Sequence, residues 1–268
     1  MSTDQNFLKS RLVGVAAVAI VLFLIAPQLV LVIQSFTAED YLSFPPKVFG
    51  LRWYLHILTD EIWRRAFLTS LLVAAFTTPL GLIIGASAAL GLDRGPLRGR
   101  KLLRTVLISP MVLPHIVLGL ALYRVFLSLA LDDTVSGFFI AHLLLVIPYV
   151  VITIGASLQT LDPSLEEAAE SLGASAFKAF WYITLPNIVP GLLAGAIFAF
   201  ITSFDEFIVT YFLASRNVTV PLQIFGSLSY QLDPSIAAVS GLTLLVTAVL
   251  STILVLRGQF ASKGTQSI

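Results

Sequence analysis

Long apolar segments constrain this chain more than any other feature of its sequence. About twenty apolar residues in a helix span the hydrocarbon core of a bilayer, and within lipid every backbone polar group must be satisfied inside the structure. Hydrophobic residues make up 57% of the chain and charged residues 12%, as in multi-span membrane proteins. We therefore predict an all-α polytopic membrane protein, one transmembrane domain over residues 1–268, with spans at Leu12–Ile33, Phe67–Leu90, Leu102–Leu131, Phe138–Leu158, Ile188–Leu213 and Ile236–Leu256.

Basic residues in the short loops predict the orientation of these spans. The loop between the second and third spans carries Arg94, Arg98, Arg100, Lys101 and Arg104, and the positive-inside rule places such a loop in the cytoplasm. With six spans, both termini are then cytoplasmic. The loop around Asp162 is cytoplasmic by the same count, although its charges are mainly acidic. That acidity suggests contact with a protein.

Residues 162–186, DPSLEEAAESLGASAFKAFWYITLP, interrupt the apolar pattern and predict two short helices joined by a hinge. Asp162 is suited to cap the first helix, and Gly173 to end it. A small apolar stripe recurs at helical spacing and leaves the glutamates on other faces; it comprises Leu165, Ala168, Ala169 and Leu172. Helices this short need a surface to dock on. The alternative, a helix lying on the lipid surface, is disfavoured because anionic lipid repels acidic side chains.

Two adjacent carboxylates, Asp205 and Glu206, lie within the predicted fifth span. Each charge at membrane depth costs about 2.5–3.5 kcal/mol on insertion scales, so we expect the pair to face a water-filled cavity or a partner group. With the aromatic residues nearby, they could bind an ammonium group through charge-assisted hydrogen bonds and cation–π contacts. An ion pair with Arg124 of the third span is the structural alternative. It would also suit a zwitterionic solute such as an amino acid.

The remaining patterns favour transport over catalysis. His56, His115 and His142 have no metal-ligand spacing, and packing roles are favoured for all three. The sequence contains no phosphate-binding loop of the type GxxxxGK[ST] and neither of the hydrolase motifs HExxH and GxSxG. We predict no enzymatic activity, no cofactor, no metal site and no nucleic-acid partner, with ATP hydrolysis left to separate subunits.

The 162–186 segment resembles the EAA motif of permease subunits of binding-protein-dependent ABC importers. The matching residues are Glu167-Ala168-Ala169, Gly173 and the closing Ile183-Thr184-Leu185-Pro186. The resemblance implies a type I (MetI-like) importer permease fold in a bacterial inner membrane and a coupling helix inserted into the ATPase. It implies ATPase-coupling roles for Glu166, Glu167, Ala168, Ala169 and Gly173. The implied partners are an ATP-binding subunit dimer, a second homologous permease or a copy of this chain, a periplasmic solute-binding protein and membrane lipid.

Further motifs resemble the spermidine/putrescine-type subgroup: Ser203 to Phe207 (SFDEF), Gln231 to Pro234 (QLDP), and FPP with Leu51 to Tyr54 in the first external loop. The resemblance implies that Ser203, Asp205 and Glu206 bind a polyamine during passage. Glu206 departs from the pattern, because close spermidine permeases carry a second aspartate there. An amino acid importer built in the same way is one alternative. Another is an ion-coupled secondary transporter that uses Asp205 and Glu206 as ion sites.

Overall fold

A computed structural model describes residues 2–230 and 233–265. Gln231 and Leu232 of the QLDP motif lie outside the described residues. The described chain is all-α, as predicted, with twelve α-helices and one π-helical segment, Phe180–Thr184. The α-helices are α1 (Ser2–Ser35), α2 (Arg52–Thr59), α3 (Glu61–Arg94), α4 (Arg100–Val112), α5 (His115–Leu129), α6 (Val135–Thr160), α7 (Ser164–Ser171), α8 (Ala176–Ala179), α9 (Leu185–Phe204), α10 (Ile208–Leu213), α11 (Val220–Tyr230) and α12 (Ser235–Thr265).

Five helical segments are long and apolar enough to cross a membrane, and a bent pair makes a sixth span possible. The five are Val13–Ser35, Glu61–Arg94, Val135–Thr160, Ala176–Phe204 and Ser235–Ile253. The bent pair, α4 and α5, turns by 101° and replaces the single third span predicted over Leu102–Leu131. The break falls at Leu113 and Pro114, because Pro114 has no N–H for the helical ladder and keeps the preceding residue out of the helical conformation.

By its internal contacts the described chain divides into two compact units. The first comprises Met1–Asp60 and Gly226–Val246, and the second comprises Glu61–Phe225 and Thr247–Ile268. In the first unit, polar contacts tie α2 to the end of α1 and to the segment that follows it. Trp53 Nε1 donates to the Glu39 carbonyl oxygen at 2.8 Å, and the Tyr54 hydroxyl donates to Ser35 Oγ at 2.7 Å.

The second unit is built on α3, α6 and α9, which pack against one another. Small residues allow this close approach. A Cβ added to Gly191 would lie 2.7 Å from the Thr153 carbonyl oxygen, and one added to Gly195 would lie 2.9 Å from Thr153 Oγ1. The prediction that Gly191 and Gly195 form a face for close helix packing is thereby confirmed. The apolar core beside them includes Ala89, Val146, Val150, Ile154, Leu158, Ile188 and Ala199.

A second apolar cluster joins α5, α6 and α10, and next to it Asp133 binds the loop that follows α10. The cluster includes Phe126, Phe138, Val209 and Leu213. Asp133 Oδ1 accepts hydrogen bonds from three successive backbone N–H groups, those of Ser215, Arg216 and Asn217, at 2.8–2.9 Å. Burial opposes the effect, but these three donors lower the pKa of the Asp133 carboxyl below its usual value. The carboxylate therefore holds loop 214–219 against the turn before α6.

Candidate functional site

The ends of the first predicted coupling helix follow the sequence signals closely. Asp162 Oδ1 accepts from the Ser164 N–H at 2.9 Å, and this hydrogen bond lowers the pKa of Asp162. At the other end the Gly173 N–H donates to the Glu170 oxygen, and the Ala174 N–H donates to the Ala169 oxygen. These two bonds form a Schellman motif, with Gly173 at φ +91°. The predicted roles of Asp162 and Gly173 in delimiting this helix are confirmed.

The second predicted coupling helix is not a separate element. From Ala176 the chain continues through α8, the π-helical segment and α9 to Phe204 as one candidate span, so the predicted boundary at Pro186 is wrong. Pro186 lacks an N–H and would clash with a carbonyl one turn earlier in a regular α-helix. The wider π turn, in which the Leu185 N–H donates to the Phe180 oxygen, lies directly before this proline.

Glu166 points into the protein, which corrects the prediction that it lies with the other glutamates away from the packed face. Its side chain is 21% exposed, and its Oε2 lies 3.3 Å from Arg94 Nε at the end of α3. The Thr184 hydroxyl donates to Glu166 Oε1. One carboxylate therefore connects α7 both to α3 and to the start of the fifth span. Glu167 and Ala168 are exposed, as is Gly173, whereas Ala169 is half-buried.

Large apolar side chains stand uncovered around α7 and the helix that follows it. Leu172 is 90% exposed, Phe177 73% and Tyr182 75%. Phe177 and Trp181 stack with their ring centroids 6.0 Å apart. Leu172 lies at the end of α7 beside the exposed Gly173, whereas Phe177, Trp181 and Tyr182 lie in the first turns of the candidate span Ala176–Phe204. The docking of these two segments on a partner stays a prediction.

The fifth predicted span breaks at the acidic pair. α9 ends at Phe204, Asp205 is its C-terminal cap residue, and α10 begins at Ile208. A single helix over Ile188–Leu213 is therefore not observed. The break places the two acids in different environments. Asp205 is exposed, whereas Glu206 is 6% exposed.

Glu206 is held by two neighbours inside the protein. Its Oε1 accepts from the Val209 N–H at 2.9 Å, which caps the start of α10. Its Oε2 lies 3.4 Å from His115 Nδ1, at the start of α5. The bend at Pro114 brings this histidine to the acid, so the broken third span and the broken fifth span meet at Glu206.

Ser203 belongs to a buried polar cluster centred on His142. The Nδ1 atom of His142 lies 3.0 Å from Ser203 Oγ, and its Nε2 lies 3.0 Å from Thr210 Oγ1. Thr210 in turn donates to the Glu206 carbonyl oxygen at 3.2 Å. His142 is fully buried with both ring nitrogens paired, which fits the packing role predicted for it. The sequence did not predict the contact between His142 and Ser203. The one feature that could have indicated it is the presence of a polar ring inside an apolar span.

Arg124 pairs with neither acid. Its side chain is exposed, and within the described chain neither Asp205 nor Glu206 forms an ion pair with it. The ion-pair alternative was based on equal depth along two straight helices. The predicted third and fifth spans are both interrupted, so Arg124 and the two acids are not aligned at one depth.

Comparison with known proteins identifies this architecture. Residues 78–260 match the family described as binding-protein-dependent transport system inner membrane components. This chain belongs to that family. It is an integral inner-membrane permease component, and the matched range contains α7, Gly173 and the break at Asp205.

Two relatives of this permease have names that state their solutes. It is 34% identical over 230 residues to the putrescine transport system permease protein PotI of Escherichia coli (strain K12), covering 83% of this chain and 82% of that protein. It is 27% identical over 246 residues to the spermidine/putrescine transport system permease protein PotC of the same strain, covering 91% of each chain.

The fold of the permease is that of solved ABC importers. A chain of a bacterial ABC transporter that imports the acidic polysaccharide alginate superposes with a TM-score of 0.68 at 16% identity, over 93% of this permease and 94% of that chain. At this identity the likeness shows the fold alone. It confirms the predicted type I importer permease architecture.

Proposed function

We propose that this permease forms, with a second permease subunit, the membrane path of an importer for polyamines such as putrescine and spermidine. The proposal rests on one observation, the exposed and unpaired carboxylate of Asp205. Its carboxylate is exposed at the break of a membrane-spanning helix, and within the described chain it has no side-chain hydrogen bond or ion pair. A carboxylate at the end of a helix also faces the unfavourable negative end of the helix dipole. An ammonium group would supply the missing partner and would offset the repulsion between the carboxylate and the negative end of the helix.

The surroundings of Asp205 suit an alkyl diamine. Phe207 lies 4.9 Å from Phe225 and 5.7 Å from Tyr211, measured between ring centroids, and Tyr211 is half exposed. Aromatic faces next to a carboxylate bind ammonium groups and the methylene chains between them. The names of the two relatives support the same class of solute. The arginine predicted to suit an amino acid, Arg124, does not pair with Asp205 within the described chain.

Ser203 and Glu206 are the other two proposed substrate-binding residues, and their side chains already have partners. We assign Asp205 the first contact with the solute. Glu206 becomes available when the solute ammonium replaces His115 at its Oε2 atom, and Ser203 supports Glu206 through the His142 cluster.

The energy for transport comes from separate subunits in this proposal. Glu167, Ala168, Ala169 and Gly173 dock on one member of an ATP-binding subunit dimer, and Glu166 transmits the movement to the spans. A periplasmic solute-binding protein delivers the solute on the opposite face. Both termini and loop 93–104 lie in the cytoplasm.

Uptake by the complete reconstituted importer tests the assignment of Asp205. Charge-assisted hydrogen bonds contribute about 1.5–3 kcal/mol, so Asp205→Asn should lower kcat/KM for labelled putrescine by about tenfold or more. Asp132→Asn, in a loop outside the spans, is the matched control and should transport normally. Both variants should retain the ATP-binding subunits on purification. Unchanged putrescine uptake by Asp205→Asn, or a greater loss for a zwitterionic amino acid than for putrescine, would overturn the assignment.

A further inference from the structure

A groove between α4 and α6 carries an unusual concentration of positive charge. It consists of two adjoining cavities of about 250 and 190 Å³ that share Arg104 and Gln159 in their walls. The first is also lined by Ile108, Val151, Ile152, Gly155 and Ala156. The second is also lined by Leu92, Asp93, Arg100 and Lys101.

The lining changes from charged to apolar along the groove. Arg100, Lys101 and Arg104 occupy the first turns of α4, and Ile108 follows one turn later. From Arg100 to Ile108, eight residues further on, a helix rises about 12 Å. The facing residues of α6 follow the same polar-to-apolar order: Gln159 lies near the C-terminal end, and Val151 and Ile152 lie about two turns earlier. The groove therefore has a cationic end and an apolar end, and the rise of about 6 Å from Arg104 to Ile108 is close to the depth of one headgroup region.

Two of the three cations are free to bind an anion. Arg100 donates to the backbone carbonyl oxygens of Asp93 and Gly95, which fixes it at the rim. Lys101 and Arg104 have no ion pair or side-chain hydrogen bond within the described chain. The one acid among the described lining residues, Asp93, lies 3.5 Å from Arg94 Nε instead.

The groove is open because α4 is uncovered and Gly155 has no side chain. None of the described residues of α4 is buried. A Cβ added to Gly155 would lie 3.8 Å from Arg104 Nη2, so the guanidinium group rests directly over this glycine. The floor of the groove is thus backbone and small side chains, and its rim is cationic.

We propose that this groove binds an anionic phospholipid of the cytoplasmic leaflet. The headgroup phosphate contacts Lys101 and Arg104, and one acyl chain lies along Ile108, Val151 and Ile152. Basic pockets between membrane helices on the cytoplasmic side suit such headgroups, and the cationic-to-apolar order matches the two ends of a phospholipid. Three cations would repel a polyamine, so this site is separate from the solute path. It requires only that loop 93–104 be cytoplasmic.

Lipid retention by the purified full-length permease tests this site. Native mass spectrometry measures apparent affinities for phosphatidylglycerol and for phosphatidylcholine with identical acyl chains. We expect tighter binding of phosphatidylglycerol, and Lys101→Gln and Arg104→Gln should each weaken it by about fivefold, since a basic side chain near an anionic membrane contributes about that factor. Arg98→Gln removes a charge from the same loop outside both cavities and should leave the affinity unchanged.

A second variant tests the apolar end of the groove without changing any charge. Ala156 is exposed in the groove, so Ala156→Phe fills it and should weaken phosphatidylglycerol binding while the permease still folds. Millimolar inorganic phosphate should not displace the lipid, because it lacks the acyl chain. Equal affinity for the two lipids, or an Arg98→Gln loss equal to that of Arg104→Gln, would overturn the proposal. So would weaker binding of the ATP-binding subunit by Lys101→Gln with unchanged lipid binding, which would assign the groove to a protein partner.

Discussion

Arg94 Nε lies 3.3 Å from Glu166 Oε2, so the short helix α7 is anchored to the end of a membrane-spanning helix by a partly buried ion pair. Thr184 donates a hydrogen bond to the same carboxylate from the base of the fifth span. A push on α7 from a docked ATPase would therefore reach two spans through Glu166. The exposed apolar side chains around α7 provide the surface on which such a partner can dock.

Removing the charge of Glu166 should uncouple the importer. Glu166→Gln keeps an oxygen for Thr184 but loses the ion pair with Arg94, which should cost about 1–2 kcal/mol of stability. We expect solute uptake per ATP hydrolysed to fall in reconstituted vesicles while the ATP-binding subunits stay attached. Glu170→Gln, an exposed glutamate on the same helix, should keep the normal ratio. Equal ratios for both variants would show that the ion pair has no part in coupling.

The conformation of Gly173 predicts a graded response to substitution. At φ +91° a β-branched residue is strained, whereas asparagine tolerates left-handed conformations. No atom lies within 4 Å of an added Cβ, so backbone strain alone should decide the outcome. Gly173→Val should destabilise the end of α7 by about 1–2 kcal/mol and lower coupled uptake, and Gly173→Asn should retain most of it. Co-purification of the ATP-binding subunits and uptake assays measure both effects, and equal activity of the two variants would contradict this role of the hinge.

Loss of His142 should destabilise the permease. His142→Ala would leave Ser203 Oγ and Thr210 Oγ1 without their buried partner and would open a cavity, at a cost of about 2–4 kcal/mol. The midpoint of thermal unfolding in detergent measures this loss. His56→Ala, at an exposed position, should change the midpoint little. A midpoint for His142→Ala equal to that of His56→Ala would mean that the polar cluster is not required for stability.

The Asp133 carboxylate should hold loop 214–219 in a pH-dependent way. Because its pKa is lowered in the folded protein, its contribution is complete above the usual aspartate pKa, near 3.9, and is lost as the pH falls through the lowered value. Hydrogen exchange by mass spectrometry should show residues 215–217 protected at neutral pH and exposed in strong acid. Asp133→Ala should remove the protection at every pH.

Asp132→Ala is the matched control for this loop, because it removes the neighbouring carboxylate and leaves the three hydrogen bonds in place. Its exchange pattern should match that of the unaltered permease. Protection that persists in Asp133→Ala would show that other contacts hold the loop.

Local signals in the sequence determined much of this protein. Apolar length located the spans other than the third and the fifth, Asp162 and Gly173 delimited α7, and Gly191 with Gly195 marked a face for close packing. Each of these depends on interactions within a few residues or on burial in lipid, which a sequence pattern records directly. The EAA motif similarly indicated the family before any geometry was known.

Tertiary structure decided which way the functional side chains point. The bend at Pro114 brings His115 to Glu206, and the break after Phe204 buries Glu206 while leaving Asp205 exposed. The pairing of Glu166 with Arg94 and that of Ser203 with His142 join residues 72 and 61 positions apart in the chain. Helical periodicity states which residues share a face, but the partner that covers the face is set by packing between distant helices, and a proline can end a span that hydropathy alone would continue.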